Sequence, residues 1–230
     1  MGTGFTATRR SAVVTGAARG IGRAVTETLL SSTKAHIVAV ADAAVKQAPL
    51  EWWVNNAGVD VTGGAHEVSA DDIRPAFGIL ACGPLYGTAV AVRRMLPNRH
   101  GSIVTVSSIQ AIAAFPRYFA YGAAKAALIQ AARSVAVDYG DLGIRCNVVL
   151  PGVIDTPMFW AGFPAAYPRE QALSKESRLS PMLRLGRADE VADASCFLLS
   201  ERSSYVNGTT LVVDGAATAR CFRYAATDGS

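Results

Sequence analysis

The chain has 230 residues, half of them hydrophobic and only 17% charged, a composition that fits an ordered globular protein and excludes a disordered or fibrous one. That length is most simply one domain, 1–230, with a sizeable core. A formal charge of +4 without any long Lys/Arg run argues against a nucleic-acid-binding face. Residues 1–10 are small, polar and basic and read as a loose lead-in. Ser11 to Thr15 (SAVVT) is a short apolar strand, followed at once by GAARGIG and a helical pattern through Leu30. Strand, glycine turn and helix in that order make a dinucleotide-binding opening. Gly16 permits the tight turn, Gly20 lets backbone approach a pyrophosphate, and Gly22 allows close helix–strand contact. Ile21 opens the helix, whose N-terminus turns a partial positive charge toward phosphate. Ala35 to Ala41 (AHIVAVA) is the next strand, and Asp42 follows it, placed to accept from adenosine ribose hydroxyls. Arg19 in the glycine turn could instead meet a 2′-phosphate; the acid favours NAD over NADP.

Further along, Ser69-Ala70-Asp71-Asp72 is close to a capping box and opens a helix running towards Met95. Residues 102–106 form a β-branched run that reads as a buried strand ending at Ser107 and Ser108. Ala120 to Gly140 reads as a helix on which Tyr121 and Lys125, four apart, share one face. A fixed ammonium favours the phenolate, which would bring a hydroxyl of ordinary pKa about 10 nearer to proton transfer at neutral pH. Ser108, thirteen residues before Tyr121, could hydrogen-bond the same substrate oxygen. Ile144 to Leu150 is another strand, and Asp189 to Leu199 an amphipathic helix before a last strand, Thr210 to Asp214. Residues 157–185 read as irregular, rich in Pro and in aromatics such as Phe159, Trp160, Phe163 and Tyr167. The tail from Ala216, with Cys221, Phe222 and Tyr224, carries no readable signal.

Taken together, Gly-x-x-x-Gly-x-Gly after the first strand and Ser108, Tyr121 and Lys125 at this spacing resemble the short-chain dehydrogenase/reductase family. The resemblance covers roughly residues 11–215 and implies a doubly wound, mostly parallel Rossmann-type α/β sheet that binds NAD or NADP. It implies Tyr121 as acid/base, Lys125 lowering its pKa and holding the nicotinamide ribose, and Ser108 orienting the substrate oxygen. Asn55-Asn56-Ala57-Gly58 matches the family's Asn-Asn-Ala-Gly motif, which puts Asn56, Ala57 and Gly58 at the cofactor. Pro151 and Gly152 match its Pro-Gly segment, with Val153 and Thr156 holding the carboxamide. The segment 157–185 falls where the family places a substrate lid, its aromatics suggesting an apolar or ring-bearing substrate. The resemblance further implies a small-molecule substrate and a homodimer or homotetramer.

Two departures stand out. Between the second strand and Asn55 the family has a helix, a strand and another helix, whereas Asp42 to Leu50 offers nine residues here. Nine residues reach at most about 30 Å, enough to cross one strand and return but not to build that block. The expectation is a sheet without the third strand and its flanking helices. Secondly, Leu80 stands where the family carries a catalytic Asn. Pro84, four residues on, either frees the Leu80 carbonyl to bind a relay water or is a simple kink.

A narrower likeness, of AYGAAKAAL, RCNVV and Asp155-Thr156-x-Met158, is to 2,3-dihydro-2,3-dihydroxybenzoate dehydrogenases, with Arg117 as a possible partner for a substrate carboxylate. A rival of another class is a non-redox or scaffolding member of the family. The cysteines Cys82, Cys146, Cys196 and Cys221 form no close pair, so neither a zinc site nor a disulfide framework is expected. Free thiols fit a cytoplasmic protein, and no signal-peptide core or transmembrane-length apolar run is read, so no membrane partner is expected.

Overall fold

The computed structural model describes residues 11–32, 36–37 and 48–220. Six parallel strands form one sheet among them: β1 (Ser11–Val14), β2 (His36–Ile37), β3 (Leu50–Asn55), β4 (Gly101–Val106), β5 (Ile144–Pro151) and β6 (Thr210–Val213). Their spatial order is β2-β1-β3-β4-β5-β6. The chain therefore crosses β1 between β2 and β3, the one-strand crossing that the short connection allows. Among the described residues no strand lies outside β2. Asp42 lies outside the described residues.

Helices cover both faces, so every central strand must be apolar on both sides. The two-residue period of a strand divides its side chains between two cores. Ala12, Val14, Trp52, Val54, Val104 and Val149 pack with α1 (Gly20–Ser32) and the helix Ala188–Leu199. Val13, Trp53, Ile103, Cys146 and Val148 pack on the opposite face with two other helices, through Ala91, Val92, Met95, Ile129 and Ala132. Adjacent Trp52 and Trp53 thus anchor opposite sides of the sheet. Fully burying a large apolar side chain contributes roughly 1.5–3 kcal/mol, so this strand pins both layers.

α2 (Ala70–Phe77) begins with a complete capping box between Ser69 and Asp72. It passes through a π-turn, Gly78–Cys82, before α3 (Gly83–Met95), with Pro84 in the first turn of α3. An inserted residue of this kind rotates the following face, and such turns often border functional sites. Here the turn buries Leu80 completely, against Ala76, Ala81 and Ala124 and beside Tyr121. The helical run Ala70–Asn98 is long and apolar enough, by length and composition, to cross a membrane, which corrects the sequence reading. Its buried Ala91, Val92 and Met95 face the sheet, so part of that apolarity serves the core.

α4 (Phe119–Tyr139) carries Tyr121 and Lys125. The segment read as irregular contains α5 (Pro157–Ala161) and α6 (Arg169–Glu176), and α7 (Ala188–Leu199) follows. Pro157 stands in the first turn of α5 and Pro168 at the cap of α6. A proline's fixed φ and missing N–H are harmless at a helix start.

Candidate active site

The glycine turn is locked from beneath by its neighbour in the sheet. The Thr15 hydroxyl accepts from the backbone amides of Asn56 (2.9 Å) and Ala57 (3.1 Å). The Asn56 side-chain amide donates back to the carbonyls of Thr15 (3.2 Å) and Gly16 (3.3 Å). Gly16 and Gly20 adopt φ of +67° and +56°, which glycine reaches without strain. A Cβ on Gly16 would lie 2.9 Å from the Asn56 amide nitrogen, and one on Gly22 would collide with that nitrogen and with the Gly16 carbonyl. A Cβ on Gly20, by contrast, would meet only the Thr156 side chain, at 3.5 Å. Gly20 therefore presents bare backbone, at the N-terminus of α1, across a gap from Thr156. Bare backbone at a helix N-terminus suits a phosphate group, and these residues fit a dinucleotide cofactor. Arg19 is exposed in the same turn.

Asn55 forms a buried network behind the turn: its side chain donates to Thr88 (2.9 Å) and Thr105 (3.1 Å) and accepts from the Trp53 indole (2.6 Å). Gly152 lets the end of β5 pass Asp214, where a Cβ would lie 2.8 Å from the Asp214 Cα. Thr156 accepts from the Phe159 amide (3.3 Å), so its hydroxyl caps α5.

Ile21, Asn56, Gly58, Ser108, Tyr121, Lys125, Pro151, Gly152, Val153 and Thr156 all line one cleft of about 630 Å³. The structure thus brings the sequence-predicted residues together, apart from Gly16, Arg19, Gly20, Gly22 and Ala57, which are not in its lining, and Asp42, which is not described. Lys125 is buried, its ammonium donates to the Val106 carbonyl at 3.1 Å, and burial lowers its pKa to about 8. The Ser107 hydroxyl donates to the Lys125 carbonyl (2.8 Å), fixing α4 against the end of β4. Ser108 accepts from the Gln110 amide (3.2 Å) and hydrogen-bonds Tyr121.

The ammonium sits 5.7 Å from the centre of the Tyr121 ring, but the phenol is not eased toward neutrality. Burial pushes Tyr121 up to about 12, with the Ser108 hydrogen bond opposing and the charge of Asp60 adding to the rise. This corrects the expectation that Lys125 sets a lowered pKa: both groups are sheltered from water, and burial is the largest cause of each shift.

Sequence reasoning missed Asp60 and Tyr118, which share the cleft. The Tyr118 and Tyr121 rings meet edge to face at 5.7 Å, and the Tyr118 hydroxyl donates to Asp60 at 3.4 Å. Phe159 and Phe163 close the other side at 5.1 Å from one another. Trp160 donates to Asp155 (2.6 Å) while Arg169 stacks on its ring at 3.8 Å. Arg117 is not in the cleft lining; it pairs with Glu67 at 2.6 Å on another face.

Comparison with known proteins agrees with this arrangement. A family model described as enoyl-(acyl carrier protein) reductase matches residues 31–218. The chain belongs to the short-chain dehydrogenase/reductase family. It is 38% identical over 169 residues to 2-(R)-hydroxypropyl-CoM dehydrogenase of Xanthobacter autotrophicus, covering 72% of this chain and 66% of that relative, about two thirds of its length. It is 30% identical over 94% of the chain and 92% of the relative to an inactive 2-(S)-hydroxypropyl-CoM dehydrogenase 2 of the same organism. The ligand-free aldohexose dehydrogenase of Thermoplasma acidophilum superposes with a TM-score of 0.84 at 30% identity, covering 94% of this chain and 96% of that one.

Proposed function

We propose that the chain is an oxidoreductase that interconverts a secondary alcohol and its ketone, on an apolar or cyclic skeleton. The observation that carries this reading is the convergence of Ser108, Tyr121 and Lys125 on a cleft bordered by the glycine turn and Thr156. A nicotinamide bound there supplies or accepts the hydride at the carbinol carbon. Tyr121 moves the proton: it gives one to the carbonyl oxygen in reduction and takes the hydroxyl proton in oxidation. Ser108, hydrogen-bonded to Tyr121, positions the same oxygen. Lys125 supplies the positive field beneath the ring and a donor for the cofactor ribose. Gly16, Arg19, Gly20, Ile21, Gly22, Asn56, Ala57 and Gly58 hold the cofactor, with Pro151, Gly152, Val153 and Thr156 at its nicotinamide end. Asp42 supports NAD ahead of NADP. The aromatic walls Phe159 and Phe163, on the segment 157–185, act as a lid for an apolar substrate face. Exposed Ile79, Leu85, Tyr86, Ile112 and Phe119 support assembly with further copies of the chain.

The names of the relatives, a hydroxypropyl-CoM dehydrogenase and a hydroxysteroid dehydrogenase among them, are those of proteins acting on hydroxyl-bearing carbon. A carboxylate-bearing dihydrodiol is the weaker reading, because Arg117 is engaged by Glu67 outside the cleft. The rival non-redox role draws on Leu80 in place of an Asn and on the relative named inactive. Titration with NADH and with NADPH, followed by fluorescence and thermal stability, separates the two. Micromolar binding of either supports the oxidoreductase, and an alcohol screen with a Tyr121→Phe control then follows. Absence of binding at millimolar cofactor sinks it in favour of the non-redox role.

A further inference from the structure

The cleft holds a carboxylate for which hydride transfer has no use. Asp60 follows Gly58 by two residues and lies open to the cleft that Tyr121 and Lys125 also line. Among the described residues its hydrogen bonds come from the Val61 amide and, at a long 3.4 Å, from the Tyr118 hydroxyl. It has no ion-pair partner among them. Gly162 borders it: a Cβ added there would lie 3.9 Å from its Oδ2. Partial shielding by these neighbours raises its pKa, with the Tyr118 and Val61 hydrogen bonds opposing the rise. The side chain is exposed to the cleft, so a substrate hydroxyl entering there would take the place of water as its donor.

Geometry says where that donor would sit. The Tyr118 ring stands edge-on to the Tyr121 ring at 5.7 Å, and its hydroxyl reaches Asp60. Asp60 and Tyr121 therefore border one cleft with a single aromatic side chain, Tyr118, between them. Glu176 adds negative potential at Tyr118, which repels a substrate anion at this end of the cleft. Lys175 lines the same cleft, so the site does not act as a plain cation trap and a neutral donor suits it best.

We propose that Asp60, framed by Tyr118 and Gly162, is a specificity-determining residue that accepts a hydrogen bond from a second hydroxyl on the substrate. The substrate class is then a compact diol or polyol, its far hydroxyl held by Asp60 while its near one meets Ser108 and Tyr121. This rests on the alcohol-oxidising reading above and narrows it.

The test compares cyclohexanol with the 1,2-, 1,3- and 1,4-cyclohexanediols as substrates, and measures their binding to the enzyme–cofactor complex by calorimetry. In the wild type, kcat/KM for the best diol exceeds that for cyclohexanol at least tenfold, the scale of one hydrogen bond to a charged group. In Asp60→Ala that ratio falls to within twofold of one, mainly through KM, while Asp60→Asn, which keeps an acceptor, retains part of it. Equal treatment of all four alcohols by the wild type, or an unchanged ratio in Asp60→Ala, overturns the subsite and leaves the oxidoreductase standing. Diol binding that depends on Asp60 without turnover of any alcohol keeps the subsite and removes the redox reading.

Discussion

Leu80 and Lys125 both border Gly58: a Cβ placed on that glycine would lie 3.6 Å from Leu80 Cδ2 and 3.9 Å from the Lys125 ammonium nitrogen. The buried cation thus has the Val106 carbonyl as its acceptor, while Leu80 borders the same glycine. An ammonium held this way is held at the expense of stability, because one carbonyl replaces only part of its hydration. Lys125→Met, which keeps the stem and removes the charge, is expected to stabilise the fold by about 1–3 kcal/mol at neutral pH. The same change should lower kcat/KM by about 10²–10⁴-fold, the range for losing support of a general acid–base group. Urea denaturation and steady-state kinetics on one preparation check both. A destabilised variant would show that Lys125 is held by more than the structure displays.

Leu80 itself offers the complementary experiment. Leu80→Asn puts a polar amide beside the ammonium at the price of a fully buried aliphatic side chain. Stability should fall by about 2–4 kcal/mol, in line with large-to-small core changes that also introduce a polar group. The Lys125 pKa, depressed to about 8 by burial, should rise once it gains a partner. The readout is the pH profile of kcat/KM, whose Lys125-dependent limb should move to higher pH. An unmoved profile would mean the amide does not reach the ammonium.

Alkaline pH provides a test of sign. Lys125 has a folded pKa below its ordinary 10.5, so the unfolded chain binds more protons above about pH 8 and stability rises there. Tyr121, Cys146 and Cys196 are each raised to about 12, from 10.0, 9.0 and 9.0. Their contributions are fully present below the unfolded pKa and are lost as pH climbs through the folded one. Three groups falling outweigh one rising, so stability should rise gently from pH 7 to about 9 and then drop steeply. Lys125→Met should lack the rise and keep the fall. Because Tyr121 holds its proton, oxidation, which needs the phenolate, should gain rate with pH across this range, while carbonyl reduction stays level. Urea midpoints and initial rates at half-unit pH steps check these expectations.

What the residues revealed beforehand follows from which physics acts locally. Tyr121 and Lys125 were legible because a helix fixes side chains four apart on one face, and Ser108 because a parallel strand must end at the ligand edge of the sheet. The shortened connection before β3 was legible from chain length alone, since nine residues cannot build a helix, a strand and another helix. Asp60 was not, because it sits in an irregular stretch where no periodicity says which way a side chain points. Tyr118 carried a signal, one turn ahead of Tyr121, that could have placed it in the cleft. The upward shift of Tyr121 was misjudged because spacing reports the neighbouring charge, while burial comes from Ala76, Leu80 and Ala81, distant in sequence.

The glycines separate turn chemistry from mere helix content. A Cβ at Gly22 would run into the Asn56 amide and the Gly16 carbonyl, the two groups whose hydrogen bond clamps the glycine turn to the end of β3. Neither can withdraw without undoing the Thr15–Asn56 hydrogen bonds behind it. Gly22→Ala should therefore cost about 1–3 kcal/mol from overpacking and weaken NADH or NADPH binding at least tenfold. Gly78, in the π-turn, is the matched control: it is right-handed and a Cβ there would meet nothing within 4 Å. Gly78→Ala should leave cofactor affinity alone and stabilise the fold by about 0.4–1 kcal/mol, through lost freedom in the unfolded chain. Thermal melts with and without cofactor distinguish the pair, and similar losses from both substitutions would show that the glycine turn is not what holds the dinucleotide.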